Sequence, residues 1–202
     1  MLLHVAARMQ ETADLLTQAD RAVGDGDHGV GMARGFAAVA ARLRSAEIDL
    51  PGDALQAAGT ALLTSVGGAA GAIFGTLFRA GAAALRGRET LDAAGLADFL
   101  EEALTAVQRR GKAAPGDKTV VDALAPAAEA ARSNREAPLP EALRAAGEAA
   151  WSGVEATKSM VARIGKAKTL GERSLGHPDP GALSLCLILR YMLEYLTGLG
   201  QT

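Results

Sequence analysis

The sequence predicts an all-α fold in a single domain, residues 1–202, and three observations carry that reading. Apolar residues make up 49% of the chain but aromatic ones only 3%. Much of the apolar content is therefore alanine and leucine, strong helix formers that let helices approach closely. Apolar residues recur at helical spacing in eight segments separated by Gly, Pro and Asp, and no stretch reads convincingly as a strand. At 202 residues the chain can bury one sizeable core, and it shows no repeat, low-complexity tract or interdomain linker.

The first helix is expected from near Leu2 to Asp20, with Val5, Met9, Leu15 and Leu16 on one side. A second runs from about Gly29 to Arg44. Pro51-Gly52-Asp53 punctuates the chain, and Asp53 can cap a third helix to about Ser65. Gly67-Gly68 ends that helix, and a fourth spans about Ala70 to Leu85. The fifth covers about Ala94 to Arg110. Asp117 caps a sixth to about Ser133, with Pro126 inside it as a source of a kink. The seventh runs from about Pro140 to Ala162. Residues Arg163 to Pro180 form the longest loop, and a structureless segment of that length is usually functional or disordered. The last helix, about Gly181 to Thr197, is apolar nearly all round and should be central.

Composition excludes several classes of function. Net charge is −2 with acids and bases interspersed, which argues against a nucleic-acid or membrane-surface stripe. The single cysteine, Cys186, forms no intrachain disulfide and reads as a small buried hydrophobe within Leu183–Leu189. No signal peptide and no membrane-spanning run are visible, so the cytoplasm is the expected compartment.

Chemistry concentrates in Asp20-Arg-Ala-Val-Gly-Asp25-Gly-Asp27-His28-Gly29-Val30-Gly31. Three carboxylates within eight residues repel one another unless a cation sits among them. Asp25 and Asp27 are two apart in a Gly-flanked loop, so in extended backbone both side chains point the same way. Asp20, ending the first helix, can close the triangle. Hard carboxylate oxygens suit Mg2+ or Ca2+, and Mg2+ usually keeps positions open for phosphate oxygens. Asp-Gly pairs also mark plain turns, and Asp is a common helix cap. The missing Glu at the twelfth loop position argues against an EF-hand. The helix beginning at Gly29 offers free N–H groups to anions.

Three other connections join this one. In an up-and-down array alternate connections lie at the same end. The acidic loop, Gly67-Gly68, Pro115-Gly116-Asp117-Lys118-Thr119 and the long loop follow helices one, three, five and seven, so all four converge on one site.

These segments together resemble the nucleotide-binding L subunit of dihydroxyacetone kinases. The matching residues are Asp20-Arg with Gly24–Gly29, Val66–Ala69 with Phe74-Gly75, Pro115–Thr119, and Leu170–Ser174 with Gly176-His177 and Asp179–Ala182, covering nearly the whole chain in the family's order. The resemblance implies a barrel of eight antiparallel helices with a nucleotide held in loops at one end. It implies that Asp20, Asp25 and Asp27 hold two Mg2+ ions bridging to ADP or ATP. It brings His28, Gly29, Val30 and Gly31 to the phosphates. Ala69, Ala70, Gly116, Ala125, Asp179, Pro180 and Gly181 would line the rest of the pocket, and Lys166 stands where the family usually has Arg. Family members commonly have Ser at the position of Ala70 and often Asn at that of Gly31, and Lys lacks the planar fork of Arg. The amino end is also shorter than in the family.

The implied activity is phosphoryl transfer, relayed by tightly bound nucleotide from a phosphohistidine carrier to dihydroxyacetone held on a separate K subunit. No G-x-x-x-x-G-K-[ST] loop is present, so this is no P-loop enzyme. With no nucleophile–base pair in sight, the chain itself is expected never to be phosphorylated. His28 reads as a neutral phosphate donor, His177 as a loop residue, and Arg173 with Glu172 as a buried pair. Lys118 sits on the first turn of the sixth helix, and Trp151 is core or a partner-facing anchor. His4 has no role. Nucleic acid and membrane are not expected as partners, and a homodimer stays open. Rival readings are an ATP-dependent subunit for another small ketose, a non-catalytic nucleotide-binding regulator, and the nucleotide domain of a fatty-acid kinase. That last domain typically has Thr in place of His28.

Overall fold

The computed structural model describes residues 1–198. Among them the chain forms α1 (Leu2–Glu11), α2 (Ala13–Arg21), α3 (His28–Ser45), α4 (Pro51–Ser65) and α5 (Gly68–Ala84). There follow α6 (Ala93–Gly111), α7 (Val121–Ser133), α8 (Leu139–Thr157), a 3-10 helix over Lys166–Ser174, and α9 (Pro180–Thr197). No strand occurs among the described residues. From α3 onward each helix packs on its successor; α9 returns to α1, and α1 packs on α3, so the ring closes. The connections are short enough to make neighbours antiparallel. None of the described helices is long and apolar enough to cross a membrane.

The expected first helix is broken at Thr12. Its backbone, at φ −94° and ψ 11°, leaves helical geometry. Its hydroxyl donates to the carbonyls of Arg8 and Met9 at 3.2 and 3.1 Å. Side-chain bonds of this kind compete with the helix ladder. Counted together, α1 and α2 are one barrel member, so the expected eight-membered arrangement holds. Val5, Met9 and Leu16 are buried, but Leu15 is 47% exposed. Adjacent helical residues lie about 100° apart, and in α2 Leu16 takes the core side while Leu15 faces out.

Other boundaries moved for local reasons. Pro51 rather than Asp53 opens α4, because Pro loses nothing at a helix start. α5 begins at Gly68, straight after Gly67 turns the chain with φ +83°. α7 begins at Val121, not Asp117, and passes through Pro126 without interruption. α8 ends at Thr157, five residues before the expected Ala162. The long loop is not structureless: the 3-10 helix occupies half of it.

The few aromatic rings anchor the core. Phe36, Phe74, Phe78 and Phe99 are all buried. Phe78 meets Phe36 and Phe99 edge-on, with centroids 6.4 and 6.2 Å apart, a geometry favoured by the ring quadrupoles. Alanine and glycine fill the spaces between, and α9 buries eleven of its eighteen residues against α8, α1, α7 and α2. Cys186 is buried, as expected, and burial pushes its thiol up to about 11. Trp151 is 49% exposed on α8, so it is not core. Glu172 and Arg173 are exposed rather than a buried pair. The buried member of that segment is Ser174, whose hydroxyl accepts from Ala162 N–H at 3.0 Å and donates to Gly171 O at 2.7 Å.

Candidate nucleotide and metal site

One rim of the barrel encloses a cavity of about 520 Å3. Its lining comes from the acidic loop and the start of α3, the Val66–Phe74 segment, the Gly111–Val121 segment, Ile164–Ala167 and Asp179–Gly181. The four connections expected to converge do so.

Asp20, Asp25 and Asp27 meet at the mouth, each offering a carboxylate oxygen within 4.8 Å of the others. Asp20 is buried at the end of α2 and holds the loop in place by accepting from His28 N–H at 3.2 Å. Asp25 and Asp27 are exposed. The Lys166 ammonium pairs with Asp25 and lies 3.6 Å from Asp27. That hydrogen bond holds the Asp25 carboxyl below the usual carboxylate range and raises Lys166. The cluster therefore already attracts positive charge. Three carboxylates of one loop region, with open sides toward a cavity, fit hard divalent cations.

His28 faces inward. Its Nε2 lies 2.8 Å from Ser184 Oγ, and the Ser184 hydroxyl donates to Pro180 O at 2.9 Å. The serine has one proton to give, so Nε2 is the donor to Ser184. Burial depresses the imidazole's pKa, opposed by Asp20 and Asp27, and keeps the ring neutral. The ring thus ties α3 to α9. Its Nε2 is engaged with Ser184 in this structure.

Val30, Gly31, Ala69, Ala70, Lys166, Asp179, Pro180 and Gly181 line the cavity along with the three aspartates and His28. Gly29, Gly116 and Ala125 do not. A Cβ on Gly29 would collide with the Ala13 carbonyl and the Thr17 hydroxyl, so this glycine lets α3 approach α2. Gly116 N–H donates to Asp122 at 2.5 Å and shapes its turn. Ala125 lies on α7, a full turn past the rim, where Gly111 and Val120 line the wall instead.

The structure adds Arg34 to the lining and shows what holds Lys118 and Asp179 there. Arg34 donates to Ser65 O at 2.6 Å and Val66 O at 2.7 Å, fixing the turn before Gly67. Lys118 lines the cavity although only 2% exposed. Asp179 caps α9, accepting from Ala182 N–H at 2.7 Å. Burial pushes its carboxyl up to about 7 against that bond's pull.

The family model described as the DAK2 domain matches residues 22–194. The chain belongs to the DAK2 domain family. Asp20 precedes the matched stretch, whereas the other site residues fall inside it. Among relatives of this DAK2 chain, an Escherichia coli K12 protein is the PEP-dependent dihydroxyacetone kinase ADP-binding subunit DhaL. It is 43% identical over 183 residues, which cover 89% of this chain and 87% of the relative. A Listeria innocua protein of the same description is 37% identical over 187 residues, 93% of this chain and 89% of its own. An L-erythrulose kinase of Pectobacterium atrosepticum is 38% identical over 199 residues, 92% of this chain but 33% of its own. Among solved structures, the C. freundii dihydroxyacetone kinase with AMP-PNP and Mg2+ superposes with a TM-score of 0.75 at 26% identity. That match covers 96% of this chain and 33% of the other. The DAK2 chain thus spans a third of these longer kinases and nearly the whole of the bacterial subunits.

Proposed function

We propose that this chain is the ADP-binding subunit of a PEP-dependent dihydroxyacetone kinase. It keeps a Mg-bound nucleotide in the rim cavity and passes a phosphoryl group through it. The observation that carries the reading is the convergence of Asp20, Asp25 and Asp27 at the mouth of a nucleotide-sized cavity. The likeness to the bacterial ADP-binding subunits over most of their length supports it.

In this reading the three aspartates hold two Mg2+ ions, which neutralise charge on the phosphate oxygens. Each remaining residue has a positional task. Val30 and Gly31 bring the positive N-terminal end of α3 to the diphosphate. Ala69 and Ala70 do the same from α5. Asp179–Gly181 and Val120 form the opposite wall, and Lys166 adds positive charge at the mouth. The donor is a phosphohistidine carrier, and the acceptor is dihydroxyacetone held on a K subunit that docks on the open rim. The higher identity to the E. coli ADP-binding subunit, 43% against 38% for the L-erythrulose kinase, favours this over an ATP-dependent erythrulose kinase.

Native mass spectrometry tests the reading directly: the purified protein should carry ADP at one equivalent. Asp25→Ala should lose it and, with a K subunit and phosphorylated carrier present, lose transfer as well. Retention of ADP by Asp25→Ala would remove the metal assignment, and free exchange of bound ADP for ATP with turnover would favour the ATP-dependent alternative.

A further inference from the structure

Lys118 is a cation in the wall of the site with no task in the reaction as proposed. Lysine ordinarily carries its ammonium to water, yet this residue is 2% exposed. Its backbone also sits at φ +60°, a left-handed conformation that strains any residue with a Cβ. Such strain persists only where the surroundings over-determine it, and it gathers at functional positions.

The surroundings show what holds it. Lys118 Nζ donates to Thr157 O at 2.5 Å and to His177 O at 2.6 Å. The first carbonyl ends α8, and the second belongs to the segment entering α9. Two carbonyl oxygens gathered around one buried point require a donor between them. Thr157 adds a parallel tie, its hydroxyl accepting from Asp179 N–H at 2.9 Å. On the other side Asp122 fixes the turn that carries Lys118, accepting from Gly116 and Thr119 N–H at 2.5 and 2.7 Å. Three distant parts of the chain therefore meet at one ammonium. Two residues beyond His177 begin Asp179, Pro180 and Gly181, which line the cavity.

We propose that Lys118 is a positioning residue: its ammonium, bridging the Thr157 and His177 carbonyls, sets the Asp179–Gly181 edge of the cavity and through it the grip on a nucleoside diphosphate. The proposal rests on the nucleotide-binding reading of the site. A residue needed only to fill space would be served by an apolar chain without the strained backbone.

The test compares the full-length protein with Lys118→Met and Lys118→Arg, at a temperature where circular dichroism shows each to be folded. Calorimetric titration with Mg-ADP should give binding weaker by roughly 10- to 100-fold for Lys118→Met, the range seen when supporting partners of a site are removed. Lys118→Arg, which can still donate to both carbonyls, should recover most of it. Amide exchange without nucleotide should rise in Lys118→Met at Asp179–Ala182 while the α4–α5 amides stay unchanged. Wild-type affinity in folded Lys118→Met, or exchange rising evenly through all helices, would overturn the proposal. If Lys118→Met does not fold, Lys118→Gln is read by the same two measurements. A wild-type chain that failed to bind Mg-ADP would defeat the proposed function, and the exchange comparison would still decide the role of Lys118.

Discussion

At the scale of single residues, the site shows which side chains announce themselves in a sequence. Asp20, Asp25 and Asp27 do, because three like charges at that spacing have no use in a core. Lys118 does not: it reads as a residue on the first turn of a helix, and only the folded chain brings Thr157 and His177 to it. His28 was legible as a site residue but not in its orientation, which Ser184 on α9 decides from 156 positions away. That orientation has a pH consequence. Burial lowers the folded pKa of His28 below its ordinary 6.5, so the unfolded chain binds the proton first as pH falls. The stability that His28 contributes is complete above about pH 6.5 and is lost as pH drops through the lowered folded value. NMR titration should find the His28 imidazole still neutral when an exposed histidine is half protonated; a midpoint at or above 6.5 would contradict its burial.

At the scale of elements, helix number and order were legible and helix starts were not. Periodicity reports the face of a helix that is buried, whereas a start depends on which nearby group satisfies the first N–H donors. Asp92, which the sequence reading did not single out, caps α6, its side chain accepting from Gly95 N–H at 2.7 Å. Asp117, the expected cap of the sixth helix, does not cap α7. It turns back to accept from Ala114 N–H at 2.8 Å, while the Gly116 and Thr119 donors go to Asp122 in the first turn of α7, so the helix begins later. The break at Thr12 was hidden for a similar reason, since hydroxyl bonds back to Arg8 and Met9 leave no pattern in hydropathy. Helix packing at the site depends on close approach. Gly29→Ala would drive a methyl group into the Ala13 carbonyl and the Thr17 hydroxyl of the neighbouring helix. The gain in helix propensity, about 1 kcal/mol, is outweighed by overpacking of roughly 1–3 kcal/mol. Thermal denaturation should show a melting temperature lower by a few degrees, and an unchanged or higher value would mean that α2 and α3 can part without cost.

At the scale of the whole molecule, the ring of helices is a frame whose rim carries nearly all of the chemistry. That four connections share one end was readable from alternating loop positions, and the ring itself was implied by the family resemblance. The identity of the wall residues, Gly111 and Val120 in place of Gly116 and Ala125, required the ring itself. Ligand binding should feed back on the frame. With Mg2+ and ADP at about 100 times the dissociation constant, the folded state gains roughly 2.7 kcal/mol, or about 5–10 °C for a domain of this size. Scanning calorimetry should record that rise with both ligands together, and EDTA should abolish it. A rise with ADP that ignores EDTA would separate nucleotide binding from the acidic cluster.

The cavity draws its wall from positions as far apart as Asp20 and Gly181, with contributions from every second connection. During synthesis, no partial product holds a usable pocket until the final helix docks against the first. Occupancy by nucleotide therefore marks a finished molecule, and a half-made chain has no means of competing for it.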